Sequence, residues 1–141
     1  MKIYAVIDTN VLVSAMLKRS SVPGSIVEFA LSGVIIPVLN NDIVNEYRTV
    51  LLRPKFHLTR DIVDDMIQAL EESCEYVDPK HLDVKLPDPK DAVFYEVVME
   101  KRREAGAYLV TGNIKHFPLE CFIVTPREMF ELILSQNLSI H

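Results

Sequence analysis

The chain of 141 residues carries 15 Lys and Arg against 20 Asp and Glu, a formal net charge of −5, with 49% hydrophobic and 25% charged residues. That balance fits one soluble globular domain over residues 1–141 and argues against a broad basic face for nucleic acid, although acids clustered at a metal site would themselves depress the net charge. No apolar stretch is long enough to span a bilayer, the N-terminus lacks a secretory pattern, and Cys74 and Cys121 fit neither a metal spacing nor a disulfide framework, so a cytoplasmic setting without membrane contact is expected.

The first element is the apolar run Ile3 to Ile7, rich in β-branched and aromatic residues and ending abruptly in Asp8-Thr9-Asn10. Such a run reads as the central parallel strand of an α/β sheet, with its carboxyl end open to the crevice where ligands bind. Val11 to Lys18 should be helical. Pro23 is placed to open a second helix over Ser25 to Leu31, closed by Ser32-Gly33. Val34 to Leu39 is a second strand in which Pro37, lacking the ladder donor, implies a bulge or the sheet edge. Asn40-Asn41-Asp42 caps a third helix to about Leu52, with Ile43, Val44, Tyr47, Val50 and Leu51 on one face. Thr59 begins a fourth, in which Ile62, Val63, Met66, Ile67 and Leu70 repeat at helical spacing. Cys74 to Val77 is a short strand, and a polar loop with prolines at 79, 87 and 89 follows it. A fifth helix starts around Asp88 and Asp91 and runs to about Glu104. Ala107 to Val110 and Phe122 to Val124 are the last strands, and Thr125 to Glu128 resembles a capping signal for a last helix reaching about Leu134. Strands alternating with helices imply a three-layer α/β/α sandwich around a mainly parallel sheet of about five strands.

That architecture gathers polar positions at one end of the sheet: Asp8 and Thr111-Gly112-Asn113 after two strands, Glu46 on the third helix, and Asp88 and Asp91 at the start of the fifth. Each has a plain structural account. Asp8 could cap the next helix, and Asp88 and Asp91 could be cap and first-turn acids. Glu46 could pair with Arg48 or Arg53, and Thr111 to Asn113 could be a simple turn. Gathered together, these carboxyl groups would repel one another unless a divalent cation lay between them. Magnesium and manganese prefer such oxygen donors and work in phosphate chemistry.

The ordered set D-T-N, an acid in the third helix, D-P-K-D and L-V-T-G-N resembles a PIN domain, from Ile3 to about Leu134. The segments N-E-Y-R-T-V-L-L-R-P-K-F (Asn45 to Phe56) and V-T-P-R-E-M-F (Val124 to Phe130) are similar to the small prokaryotic branch of VapC-like ribonucleases, toxins of toxin–antitoxin systems. The resemblance implies an endoribonuclease dependent on one or two Mg²⁺ or Mn²⁺ ions. It implies Asp8, Glu46 and Asp91 as catalytic metal ligands, Asn10 and Thr111 as supporting polar residues, and Asp88 as an additional acid. It also implies an RNA substrate, a cognate antitoxin protein and a homodimer or higher assembly. The chain departs from the family pattern at Asn113, where most members carry aspartate; an amide oxygen can still reach a metal but brings no charge. The alternative is therefore a PIN-fold module that binds RNA or a partner protein without cutting.

A phosphodiester substrate needs positive charge nearby. Lys18 and Arg19 after the first helix, and Lys115 and His116 after Thr-Gly-Asn, are expected on the site's rim; Arg53 and Lys55 are further candidates. Lys101-Arg102-Arg103, at the far end of the fifth helix, reads as structural. An aspartyl-phosphate phosphatase is disfavoured because Asn10 stands where its second aspartate belongs. A receiver domain is disfavoured because Leu39 and Asn40 offer no phosphorylatable aspartate at the end of a middle strand.

Overall fold

The computed structural model describes residues 2–79, 82 and 84–139; the predicted loop at 80, 81 and 83 lies outside the described residues. Five parallel strands form one sheet in the order β3-β2-β1-β4-β5: β1 (Ile3–Ile7), β2 (Ile35–Leu39), β3 (Glu75–Tyr76), β4 (Ala107–Val110) and β5 (Ile123–Val124). The helices are α1 (Thr9–Leu17), α2 (Val22–Ser32), α3 (Asn41–Leu51), α4 (Arg60–Glu72), α5 (Ala92–Arg102) and α6 (Pro126–Ser139). Right-handed crossovers put α1 to α4 on one face, because β1 to β2 to β3 step in one direction, and α5 on the other, because β3 to β4 steps back. The packing agrees: α5 lies against β1, β2 and β4, while α2 packs on both α1 and α6. The strand order therefore reverses between β1 and β4, which makes that gap the switch point where open α/β sheets bind ligands.

The caps sit where the polar residues allow. The Asn40 side chain accepts from Ile43 N–H at 2.8 Å to start α3, and Thr59 accepts from Ile62 N–H at 3.3 Å to start α4. Thr125 and Glu128 form a reciprocal capping box at 2.9 and 3.1 Å. α2 begins earlier than Pro23 alone implies, because Ser21 caps it by accepting from Gly24 N–H at 3.1 Å. A Cβ at Gly24 would come within 2.1 Å of the Arg19 carbonyl oxygen, so only glycine lets the chain pass there. α6 runs five residues past the expected end at Leu134. Its Phe130 packs on Phe29 of α2 with ring centroids 6.0 Å apart, tying the last helix to the second.

Pro37 corrects the sequence reading. The register Ile3↔Ile35, Tyr4↔Ile36, Ala5↔Pro37 runs without a bulge, and β2 lies inside the sheet. Val34 carbonyl accepts from Ile3 N–H and Leu39 carbonyl accepts from Val77 N–H, so odd-numbered residues of β2 face β3. β3 pairs only with Val38 and Leu39. Pro37 thus turns its missing donor toward a side where the neighbouring strand has not yet begun. α4 also differs in detail: Val63, Met66, Ile67 and Leu70 are core, but Ile62 is 48% exposed.

The basic run at the end of α5 is structural, as expected, and Lys101 is its centre. Only 4% exposed, it bonds Glu75 on β3, pairs with Glu104 at 2.8 Å, and lies 4.1 Å from the Tyr4 ring centroid. Arg102 donates to the Ala107 carbonyl at 2.7 Å and covers Phe122. Lys101→Ala should lower stability by about 1–3 kcal/mol in urea unfolding, losing both stem packing and paired charge. Arg103→Ala, at an exposed pair, should stay within about 0.5 kcal/mol.

Candidate active site

Asp8 follows the last residue of β1, and the sheet itself holds it. Its N–H donates to the Val110 carbonyl at 2.9 Å, extending the β1–β4 ladder one residue past the strand. Its side chain is 4% exposed and makes no capping bond to α1, although it occupies the cap position. Instead Thr111 Oγ1 donates to Asp8 Oδ2 at 2.7 Å, and Asn10 Nδ2 donates to the same oxygen at 3.3 Å. Asn10 Oδ1 accepts from Gly112 N–H at 3.1 Å, and Thr111 Oγ1 accepts from Asn113 N–H at 3.0 Å. The ends of β1 and β4 are thus laced around one carboxylate. From α3, Tyr47 donates its hydroxyl to the Ile7 carbonyl and packs against Phe94 of α5, with centroids 6.4 Å apart.

A cavity of about 440 Å³ opens over this carboxylate. Asp8, Glu46, Asp88 and Asp91 all line it, together with Asn10 and Asn113. Asp91 carries no cap bond; its Oδ2 meets His116 Nδ1 at 3.2 Å, which orients it from the β4–β5 connection. Asp88 does cap the 3₁₀ turn Pro89–Asp91, accepting from Lys90 N–H at 3.0 Å through Oδ1 alone. Arg48 pairs with Asp64 at 3.4 Å and not with Glu46, which stays half-buried at the cavity wall. Thr9 Oγ1, also at the wall, is buried without a hydrogen-bond partner among the described residues.

Charge crowding is legible in the acids. Burial pushes Asp8 up to about 6; the Thr111 hydrogen bond opposes this, and the charges of Asp91 and Glu46 add to it. Asp91 is raised as well, by burial and then by Asp88, with His116 pulling it down. The donor set is made of hard oxygens, which suits a divalent cation such as Mg²⁺ or Mn²⁺. As the side chains stand, no three His, Cys, Asp or Glu among the described residues are grouped closely enough to hold an ion outright.

The basic residues divide differently from expectation. His116 lines the cavity, and so do Arg53 and Lys90. Lys115 borders a separate hollow formed with Gly112 and Ile114. Lys18 and Arg19 are not on the wall: α1 is nine residues long, which carries them roughly 13 Å from the strand end. Arg19 pairs there with Glu28. Arg53 is already among the candidates read from sequence; Lys90 is not, and could have been found because it lies between Asp88 and Asp91.

The raised Asp8 has a sign that can be tested. The folded protein holds this proton up to about pH 6, whereas an unfolded aspartate loses it near pH 4. In EDTA, the stability contributed by protonated Asp8 is present below about pH 4 and lost as pH rises through 6, a loss of about 3 kcal/mol. Asp8→Asn should abolish that loss and unfold at a higher temperature than wild type at pH 7, read by calorimetry.

A sequence profile of the PIN domain matches residues 4–115, from β1 through the turn that carries Lys115, and so takes in Asp8, Glu46, Asp88, Asp91 and Thr111 to Asn113. No curated protein matches the chain. The match covers most of the chain, and the parallel sheet with its switch-point crevice is the architecture such domains share. The chain belongs to the PIN domain family, whose members are in general nucleases acting on RNA or DNA.

Proposed function

We propose that this protein is a Mg²⁺- or Mn²⁺-dependent endoribonuclease, with Asp8, Glu46 and Asp91 as its catalytic metal ligands. The observation that carries this reading is a cavity at the switch point lined by four carboxyl groups, one of them buried and raised to about 6. A divalent cation, when bound, supplies the positive charge that offsets this crowding, neutralises a scissile phosphate and activates water. The chain's own residues do the positioning. Thr111 and Asn10 fix one oxygen of Asp8, and His116 holds Asp91 from the side. Asp88 spends one oxygen on its cap and keeps the other for the cavity. Asn113 contributes an amide oxygen and no charge, which favours a single tightly held ion over two.

The finer assignments rest on the resemblance at Asn45 to Phe56 and Val124 to Phe130. On that basis we read the protein as the toxin of a toxin–antitoxin pair, acting on RNA, restrained by an antitoxin segment entering the acidic cavity, and working as a homodimer in the cytoplasm. Two unpaired cysteines, and the absence among the described residues of a helix long and apolar enough to cross a membrane, agree with that setting. The neutral Asn113 favours one other reading, a module that binds RNA or a partner protein without cutting.

One set of assays separates them. Purified protein should cut single-stranded RNA with Mn²⁺ or Mg²⁺ and not with EDTA, and its expression should arrest bacterial growth. Asp8→Asn should lose both, with cleavage down by at least about a hundredfold. Cutting that survives EDTA or the substitution would remove Asp8 from a metal site; binding without cutting would establish the module. Asn113→Asp should tighten Mn²⁺ binding in titration calorimetry, and an unchanged isotherm would mean that residue 113 does not face the ion.

A further inference from the structure

The R-P-K-F segment after α3 has no part in the acid constellation, yet the fold brings it to the same cavity. Arg53 and Phe56 both line it. The segment is a stiff hook. Pro54 sets the start of a 3₁₀ turn over Pro54–Phe56, Phe56 N–H donates to the Arg53 carbonyl at 3.0 Å, and His57 N–H donates to the Pro54 carbonyl at 3.1 Å. His57 stands at φ 55°, a left-handed conformation uncommon outside glycine, which histidine adopts more readily than most residues. The hook is anchored at both ends, since Leu52 and Leu58 pack against the core.

Phe56 is the residue without a structural duty. It is half-buried, it does not pack against the core as its anchoring neighbours do, and its ring is turned to the cavity wall. Val13 of α1 and Val50 of α3 line the same cavity, so apolar surface meets its carboxylates. Cations accompany it: Arg53 and Lys90 line the cavity, and Lys55 Nζ lies 5.1 Å from the Phe56 ring centroid. Aromatic surface interleaved with basic groups is the arrangement that holds single-stranded nucleic acid, the ring stacking a base and the cations meeting the backbone.

We propose that the Arg53–Phe56 hook is the nucleotide subsite of this enzyme: Phe56 stacks an unpaired base next to the scissile phosphate, and Arg53 contacts a neighbouring phosphate. The inference rests on the ribonuclease reading and narrows its substrate to single-stranded segments, because a base within a duplex is already stacked on both faces. The cavity's residues then have separate tasks, carboxylates for the reacting phosphate and the hook for the base beside it.

The chain contains no tryptophan, so Phe56→Trp places a single reporter in the subsite. With Ca²⁺ in place of Mg²⁺ to hold off cleavage, titrating that protein with octauridylate should quench its fluorescence, and a duplex of equal length should not. In anisotropy with fluorescein-labelled octauridylate, Phe56→Leu should bind about tenfold more weakly than wild type. Arg53→Gln should lower the slope of log affinity against log salt by about one. An oligomer with one abasic position at the subsite should lose the same tenfold on wild type and nothing further on Phe56→Leu. If wild type binds and cuts the oligomer while Phe56→Leu does both equally and Phe56→Trp is not quenched, the hook is not the subsite and the nuclease stands. If wild type neither binds nor cuts single-stranded RNA, the ribonuclease reading falls and the subsite with it.

Discussion

The structure turns on a carboxylate that is buried where water would otherwise solvate it. Asp8 sits at the end of the central strand with almost no exposed surface. A charge in that position requires hydrogen bonds, an opposite charge or a proton. The fold supplies the first through Thr111 and Asn10, and the raised proton affinity shows that these alone do not suffice. The remaining deficit is what a cation would fill. Much of the local architecture serves this one group. The reversal of strand order leaves the gap, the β1–β4 ladder runs one residue beyond the strand to fix the backbone, and the Tyr47 hydroxyl satisfies the Ile7 carbonyl just before it.

The fold was largely legible because its strands are short apolar runs and its caps are chemically explicit. Ala107 to Val110 ends where the polar Thr111 begins, and Asn40, Thr59 and Thr125 announce helices by their side chains. What failed to show was tertiary. Pro37 looked like an edge residue because local sequence does not reveal that the strand beside it is only two residues long. The continuation of α6 past Leu134 depends on its docking against α2, which its own weakly patterned residues do not advertise.

The site divides in the same way. The acids and their polar supports could be read because strand ends and helix starts put them at one edge of the sheet, and the structure places Asp8, Glu46, Asp88, Asp91, Asn10 and Asn113 around one cavity. The basic residues divide: His116, named from its place after the fourth strand, lines the cavity, while counting from the first strand takes no account of the length of the helix between. Lys18 and Arg19 follow Asp8 closely in sequence but stand at the other end of α1. Arg53 is the reverse case: remote from every strand end in sequence, it returns to the cavity because α3 and the turn after it fold back across the crevice. Proximity along a chain is a poor guide to charge placement once a helix intervenes.

The bond between Thr111 and Asp8 joins residues 103 positions apart. During synthesis the first strand therefore emerges with its aspartate long before any partner for it exists. Until Ala107 to Val110 has been made, β1 has β2 on one side and an open edge on the other. Through that interval the nascent chain holds Asp8 and Glu46, and later Asp91, without Thr111 or Asn113, so it has only part of the crevice. Insertion of β4 closes the open edge and completes the polar lacing in one event. The order of residues along the chain thus sets an order of assembly, in which the partners that lace the Asp8 carboxylate through β4 are made long after the carboxylate itself.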